Sequence, residues 1–285
     1  MEDFEFSLKD SPILLPYIRN QSPMHGCYAY STTEAVSALF AVEYNEAPVE
    51  LSVQQIIDQM PRNFHYEQKG KKRNKKHECY YGSHVDALHY AKSIGLFEDT
   101  AYPKRESSWD IDFPEPLPNE VKYKIGCVTR VRTADIDEKW QRERFENLVT
   151  AEDINRVLEH QPMAGAIRVY KSFVDFKGEF VFVGNAVTIA EVYMGRVGNE
   201  DADDKHHGHS ILIIGWGRKN EVDYFHIKNQ WGDEWGDKGY AKVRRDLIYR
   251  LAYPEGIFQV GDAAKKKKGK DVPSSSGTRK QKAHR

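Results

Sequence analysis

The chain has 285 residues, of which 40% are hydrophobic and 12% aromatic, a composition that indicates a globular protein with one large core or two smaller ones. No window approaches the ~18 apolar residues of a membrane span, and the opening MEDFEFSLKDSPILL carries acids where a secretory signal carries bases. Residues 263–285 hold nine Lys or Arg and one Asp, a balance of +8 that leaves −9 for the rest of a chain whose net charge is −1. We therefore expect a flexible N-terminus over residues 1–12, an acidic globular body, and a disordered basic tail over residues 261–285.

The first half of the chain predicts three helices. After Gly26, apolar side chains recur at spacings of three and four residues and form one stripe. The second helix begins at a capping box in residues 52–55 and is expected to end at Pro61. The third is expected over residues 83–94, with Gly95 in the left-handed cap position.

The second half of the chain changes from helical to strand periodicity. A short helix is expected to begin near Thr150 and to stop before Pro162. Apolar runs bounded by Gly, Asn and Asp then predict strands at residues 165–170, 178–184, 210–217, 223–229 and 239–245. Helices followed by strands indicate an α+β fold, with a helical lobe over residues 13–115 and a β-rich lobe over residues 116–260.

One cysteine stands where the first helix begins, in NQSPMHGCYAYS. A buried, inert thiol is the simplest interpretation of Cys27, but the N–H groups at a helix start favour a reactive thiolate. Such a thiolate needs a basic partner and a group that orients this partner. His209 and Asn229 would lie side by side if the short GRKNEV turn joins their strands. The Asn229 amide would then fix the imidazole, with Trp231 shielding the hydrogen bond from water.

Three blocks, NQ-x4-GCYAYS, GHSILIIGWG and KNQWGDEWGDKGY, resemble in their order the papain family of cysteine proteases, whose nucleophile signature and partners are well known. The resemblance spans about residues 16–260, with a divergent middle over about 105–148. It implies a two-lobed papain-like fold, in which a helical lobe faces an antiparallel β-barrel-like lobe across the active-site cleft.

The same resemblance implies a cysteine-type endopeptidase that works through an acyl-enzyme thioester. Cys27 would be the nucleophile, present as a thiolate beside the His209 imidazolium, Asn229 would orient the histidine, and Gln21 would donate to the oxyanion. The residues implied in substrate binding are Gly82, Tyr81, His207, Ser210 and Trp231. Tyr81 replaces a glycine of the family pattern and should narrow an outer subsite, so a catalytically weak or inactive scaffold that binds extended peptides remains the alternative function.

The cysteines also bear on location. Met24 stands where the family has a cysteine, and its usual partner resembles Cys79, which leaves Cys79 unpaired. An odd, sparse set of three cysteines favours a reducing compartment. We expect a natural short form without an export signal or prosegment, located in the cytoplasm, the nucleus or both; a processed fragment would instead belong to the vacuole, the lysosome or the secreted proteins.

The expected partners are peptide or protein substrates, and no membrane. The basic tail could bind a nuclear import receptor or a nucleic acid, or stay solvated without a specific partner. His206, His207 and His209 could suggest zinc, but no matching Cys or second His pair stands at ligand spacing. We therefore expect neither a metal nor a cofactor.

Overall fold

The computed structural model describes residues 2–22, 26–63, 82–105, 120–131, 147–150, 153–177, 181–183, 186–188, 192–195 and 208–261. Its helices are α1 (Cys27–Tyr44), α2 (Val53–Asn63), α3 (His84–Ser93), α4 (Ile154–Leu158) and α5 (Lys171–Val174). Its strands are β1 (Phe4–Ser7), β2 (Lys122–Val131), β3 (Asn147–Val149), β4 (Met163–Arg168), β5 (Val181–Val183), β6 (Ala186–Thr188), β7 (Val192–Tyr193), β8 (Gly208–Lys219), β9 (Val222–Lys228), β10 (Tyr240–Arg244) and β11 (Ile248–Val260). The boundary expected between residues 115 and 116 and the tail from residue 262 lie outside the described residues.

Helix α1 runs through the centre of the protein. All fourteen residues from Tyr28 to Ala41 are buried, so the prediction of a single apolar stripe is wrong. One side of α1 packs with α2, α3, β2 and β11. The other side places Ala35 and Ala38 against Leu212 and Ile214 of β8. Burial on both sides explains the many small residues, because small side chains let flanking layers approach closely.

The predicted caps of α2 and α3 are present with one change. The Ser52 hydroxyl accepts from the Gln55 N–H at 3.0 Å, but the Gln55 side chain does not close the capping box. It donates instead to the Gly95 carbonyl at 3.0 Å, in the turn where Gly95 has φ +85°. Pro61 does not end α2, which continues to Asn63. The α2–α3 pair is thus held by a glutamine that sequence reasoning placed in a local cap.

The large sheet has the order β3-β2-β11-β4-β8-β9-β10-β7. Most pairs are antiparallel, but the two short end strands pair in parallel, β3 with β2 and β7 with β10. Among the described residues this path does not close, so the sheet is mixed and open rather than an antiparallel barrel. Strand β8 lies near its middle and carries His209. Among the residues that the structure describes, no helix is long and apolar enough to cross a membrane.

The expectation of a flexible N-terminus over residues 1–12 is wrong for β1. Residues Phe4–Ser7 pair with the second half of β8, whose first half pairs with β4 on the same edge. Phe6 packs on Trp216 with ring centroids 4.6 Å apart, and the Ser7 hydroxyl lies 2.7 Å from His226 Nδ1. The alternation of apolar and polar residues in FEFS suits a strand, although four residues were too few to predict one.

Candidate active site

Cys27 is the first residue of α1, and the start of the helix is set by close packing. A side chain on the preceding Gly26 would bring its Cβ to 2.5 Å from Cδ1 of Ile57 in α2. Burial raises the pKa of the Cys27 thiol, and hydrogen bonding from the backbone N–H and the side chain of Ser210 lowers it in part. Since Ser210 follows His209 in β8, the sulfur lies beside the strand that carries the histidine. Cys27 itself is partly exposed.

His209 is held by the asparagine that follows β9. Its Nε2 lies 2.8 Å from Asn229 Oδ1, and the two residues are 4% and 1% exposed. The Asn229 N–H donates to the Gly239 carbonyl at 2.9 Å, which fixes the asparagine in turn. Because Oδ1 can only accept, Nε2 carries the ring hydrogen and Nδ1 remains able to take a proton. The predicted contact between the two residues is confirmed.

Aromatic rings cover this hydrogen bond. The Trp231 ring lies over His209 with centroids 4.5 Å apart and an interplanar angle of 33°. The rings of Phe173 and Trp231 pack with centroids 5.5 Å apart. The Phe173 carbonyl accepts a hydrogen bond from Trp235 Nε1 at 3.0 Å. Water is therefore kept from the side of the imidazole that Trp231 covers, which strengthens the bond to Asn229.

The segment that precedes Cys27 pairs with the segment that follows β9. The Gln21 N–H donates to the Gln230 carbonyl at 2.9 Å, and the Gly232 N–H donates to the Arg19 carbonyl at 3.1 Å. Gln21 is 7% exposed, and its Oε1 has no hydrogen-bond partner among the described residues. This pairing brings the predicted oxyanion donor to the same place as Asn229 and Trp231.

Sequence reasoning missed Gln230, which ties the site together. Its N–H donates to Asn229 Oδ1 at 2.9 Å, and its Nε2 donates to the Ser210 carbonyl at 2.7 Å. The side chain is 3% exposed. Its place between Asn229 and Trp231 was the available signal, because a polar residue between two site residues is expected to bond to one of them when it is buried.

The predicted substrate-binding residues are described in part. Gly82 lies close to the first turn of α1, where a Cβ would come within 2.8 Å of the Tyr28 ring and of Met60. A backbone without a side chain is therefore required there. Ser210 and Trp231 lie beside Cys27 and His209 respectively, as given above. Tyr81 and His207 lie outside the described residues.

The electrostatics of Cys27 differ from the expectation based on the helix start. Burial raises the pKa of the thiol, and hydrogen bonds from Ser210, from Tyr28 and from its own N–H oppose that rise without cancelling it. These opposing contributions are neutral groups. The start of α1 alone therefore does not ionise the sulfur, and a thiolate at neutral pH requires a cation beside it. Protonation of His209 at Nδ1 would provide this cation.

A second buried histidine, His84, also escaped sequence reasoning. It is the first residue of α3 and 1% exposed, and its Nδ1 lies 3.1 Å from the Ser210 hydroxyl. The helix-start signals around Ser83 account for His84 as the first residue of a helix, so they gave no reason to assign this histidine to the site. Within the described residues there is no group of three or more His, Cys, Asp or Glu that could hold a metal ion; His206 and His207 lie outside them.

A cysteine at a helix start, next to a strand whose histidine is oriented by an asparagine, is the arrangement of the cysteine proteases as a class. The family model described as "Papain family cysteine protease" matches residues 5–252. The chain belongs to this family.

Known relatives agree with this assignment. A "Cysteine protease" of Blomia tropicalis is 24% identical over 234 residues, which cover 81% of this chain and 58% of the relative. "Cathepsin B-like cysteine proteinase 3" of Caenorhabditis elegans is 25% identical over 241 residues, 80% of this chain and 57% of the relative. The chain thus spans less than two thirds of the length of these relatives.

Solved structures confirm the fold. The bromelain protease of Ananas comosus, solved with the E64 inhibitor, superposes with a TM-score of 0.60 at 19% identity and covers 88% of this chain and 98% of its own. The two-lobed α+β papain-like fold predicted from the three sequence blocks is therefore confirmed.

Proposed function

We propose that the protein is a cysteine-type endopeptidase in which Cys27 is the nucleophile and His209 its base and acid. The observation that carries the proposal is the hydrogen bond from His209 Nε2 to Asn229 Oδ1 at 2.8 Å. It leaves Nδ1 as the nitrogen that can accept the thiol proton. Ser210, the next residue of the same strand, lowers the pKa of the Cys27 thiol by hydrogen bonding. Membership of the papain family supports the same function.

The proposed reaction begins with transfer of the Cys27 proton to His209 Nδ1. The resulting thiolate attacks the peptide carbonyl carbon, and the negative charge moves to the carbonyl oxygen. The Gln21 side-chain amide and the Cys27 backbone N–H would donate to that oxygen. His209 then returns the proton to the leaving amine, and the thioester is hydrolysed by water, which His209 deprotonates in the same way.

Substrate would bind as an extended peptide across the cleft. Gly82 is exposed, and its backbone would pair with the peptide backbone, with Tyr81 at an outer subsite. Ser210 and His207 would line the pocket nearest the histidine, and Trp231 would cover the leaving-group side. These roles are proposals that follow from the family pattern.

An epoxysuccinyl peptide probe tests the function, because it alkylates the nucleophilic cysteine of such enzymes. We expect stoichiometric labelling of the wild-type chain at Cys27, no labelling of Cys27→Ala, and unchanged labelling of the matched control Cys127→Ala. Cleavage of a peptide library by the wild type and not by Cys27→Ala would complete the assignment.

The alternative is a scaffold that captures extended peptides without cutting them, and one observation favours it: burial raises the pKa of the Cys27 thiol. If the wild type is folded, binds peptides and remains unlabelled by the probe, the peptidase proposal is wrong and the scaffold function remains.

A further inference from the structure

The turn that carries Gln21 is held by a lysine from a distant part of the chain. Lys104 Nζ donates to the Asn20 carbonyl at 3.0 Å and to the Ser22 carbonyl at 3.3 Å. Since these two residues flank Gln21, one ammonium group bridges the turn on either side of the proposed oxyanion donor. Hydrogen bonds from an ammonium group are charge-assisted and about twice as strong as bonds between neutral groups.

The same turn is fixed to the elements that carry the rest of the site. The Asn20 carbonyl also accepts from the Tyr30 hydroxyl in α1 at 3.3 Å, and the Gln21 N–H donates to the Gln230 carbonyl at 2.9 Å. The Ser22 N–H donates to Asn20 Oδ1 at 2.9 Å. Among the described residues, however, Lys104 is the only one that donates to the Ser22 carbonyl. Without Lys104, the turn would keep the contacts at its start and lose the one at its end.

The backbone on both sides of Lys104 is anchored at α2, so the ammonium group is presented from a fixed position. The Tyr102 carbonyl accepts from the Ser52 hydroxyl at 2.5 Å, and Tyr102 is fully buried. The Arg105 N–H donates to Gln54 Oε1 at 3.1 Å. Holding the Lys104 side chain against the turn therefore costs only the conformational entropy of that side chain.

We propose that Lys104 is a positioning residue, which holds the Gln21 side-chain amide in line with the oxyanion by fixing the turn from Asn20 to Ser22. Gln21 is 7% exposed, so the direction of its side chain depends on the conformation of the turn. Lys104 acts through Gln21 rather than on the substrate. The inference rests on the proposed function in naming Gln21 as the oxyanion donor, whereas the bridge across the turn does not depend on it.

A double-mutant cycle in the full-length chain tests whether Lys104 acts through Gln21. The kcat on a peptide substrate is measured for the wild type, Lys104→Met, Gln21→Ala and the double variant. Lys104→Met keeps an apolar side chain of similar length and removes the ammonium group. We expect it to lower kcat by about 10- to 100-fold, because a displacement of ~1 Å at a catalytic group costs up to ~10²-fold. In the Gln21→Ala background it should change kcat by less than about twofold, since the amide that Lys104 positions is then absent.

Two controls separate positioning from general damage to the protein. Lys124 Nζ donates to the Ser93 carbonyl at 2.8 Å, a contact of the same kind at the end of α3, so Lys124→Met should leave kcat unchanged. Alkylation of Cys27 by iodoacetamide displaces iodide and forms no oxyanion, so its rate should stay within about twofold in Lys104→Met. A merely structural role of Lys104 would lower the alkylation rate as well, and would lower kcat in both backgrounds.

An unchanged kcat in Lys104→Met would overturn the inference, as would an equal loss in the Gln21→Ala background or an equal fall in the alkylation rate. If the wild type cleaves no peptide, the peptidase proposal fails and amide hydrogen exchange decides the inference instead. The N–H groups of Gln21 and Ser22 should then exchange about 10-fold faster in Lys104→Met than in Lys124→Met, because their hydrogen bonds close the turn. Equal exchange rates would overturn the inference, so the two proposals fail separately.

Discussion

Glu34 and Lys228 form an ion pair inside the protein, between the helix that begins at Cys27 and the strand that leads to Asn229. Lys228 Nζ lies 3.0 Å from Glu34 Oε2, and the side chains are 1% and 7% exposed. Nζ also donates to the Leu15 carbonyl at 2.8 Å. Because the pair joins α1 to the end of β9, it holds the two halves of the candidate site in place.

Removing the Glu34 carboxylate should lower the free energy of unfolding more than removing the Lys228 ammonium. Glu34→Gln leaves the buried Lys228 ammonium without a counter-charge, which costs about 3–5 kcal/mol. Lys228→Met costs less, because Glu34 keeps Arg19, whose Nε lies 4.0 Å away. The stability loss of the double variant should be smaller than the sum of the two single losses by about 2 kcal/mol. The reason is that the second substitution removes a charge that the first one left unpaired.

Equilibrium urea unfolding measures these differences as shifts of the midpoint at constant slope. Arg156→Gln is the control, because it removes a pair with Asp153 at 3.4 Å whose side chains are 77% and 38% exposed; such a pair contributes about 0.5 kcal/mol or less. A Glu34→Gln loss within about 1 kcal/mol of the control would refute the reasoning, and so would strict additivity of the two variants.

Three further predictions concern the oxyanion donor, β1 and pH. Gln21→Ala should lower kcat by about 10²–10³ and Gln21→Glu at least as much, as steady-state kinetics on a peptide substrate would measure; an unchanged kcat would exclude Gln21 from the oxyanion site. Deletion of residues 2–7 should lower the urea midpoint, because it removes the pairing with β8 and the Ser7 contact to His226; an unchanged midpoint would mean that β1 adds no stability. Burial lowers the pKa of both His84 and His226 to about 4, so the unfolded chain takes up these protons at higher pH than the folded one. Each histidine then contributes about 3 kcal/mol that is present above pH ~6.5 and is lost as the pH falls toward 4. Urea midpoints at pH 7 and pH 5 should therefore differ less in His226→Gln than in the wild type, and an identical difference contradicts this.

The sequence predicted best where short-range signals and the family blocks agree. The start of α1, the Ser83 cap of α3 and the turn at Gly95 follow from local chemistry. The contact of His209 with Asn229 follows from two strands joined by a short turn. These features depend on residues that are near one another in the chain, so periodicity and turn signals suffice to find them.

Features that depend on distant partners were missed. Strand β11 contains Pro254 and Gly256, which argue against a strand, yet it pairs with β2 over most of its length. The pairing of β11 with β4 ends at Ala252, so the missing N–H of Pro254 breaks no bond to β4, and the Pro254 carbonyl accepts from Gln161 Nε2 at 3.0 Å. The contacts of His84 with Ser210 and Arg250 join residues more than a hundred positions apart in the chain. No local pattern reports such contacts.

The proposed peptidase activity requires a proton transfer from Cys27 to His209, and the pH dependence of Cys27 alkylation in the wild type and in His209→Ala tests this transfer most directly. If the imidazolium supplies the missing cation, the wild-type rate stays level across about pH 6–8. In His209→Ala the rate should climb throughout that range, because burial then raises the pKa of the thiol unopposed by a cation. Coincident profiles for the two proteins would mean that the histidine does not ionise the sulfur.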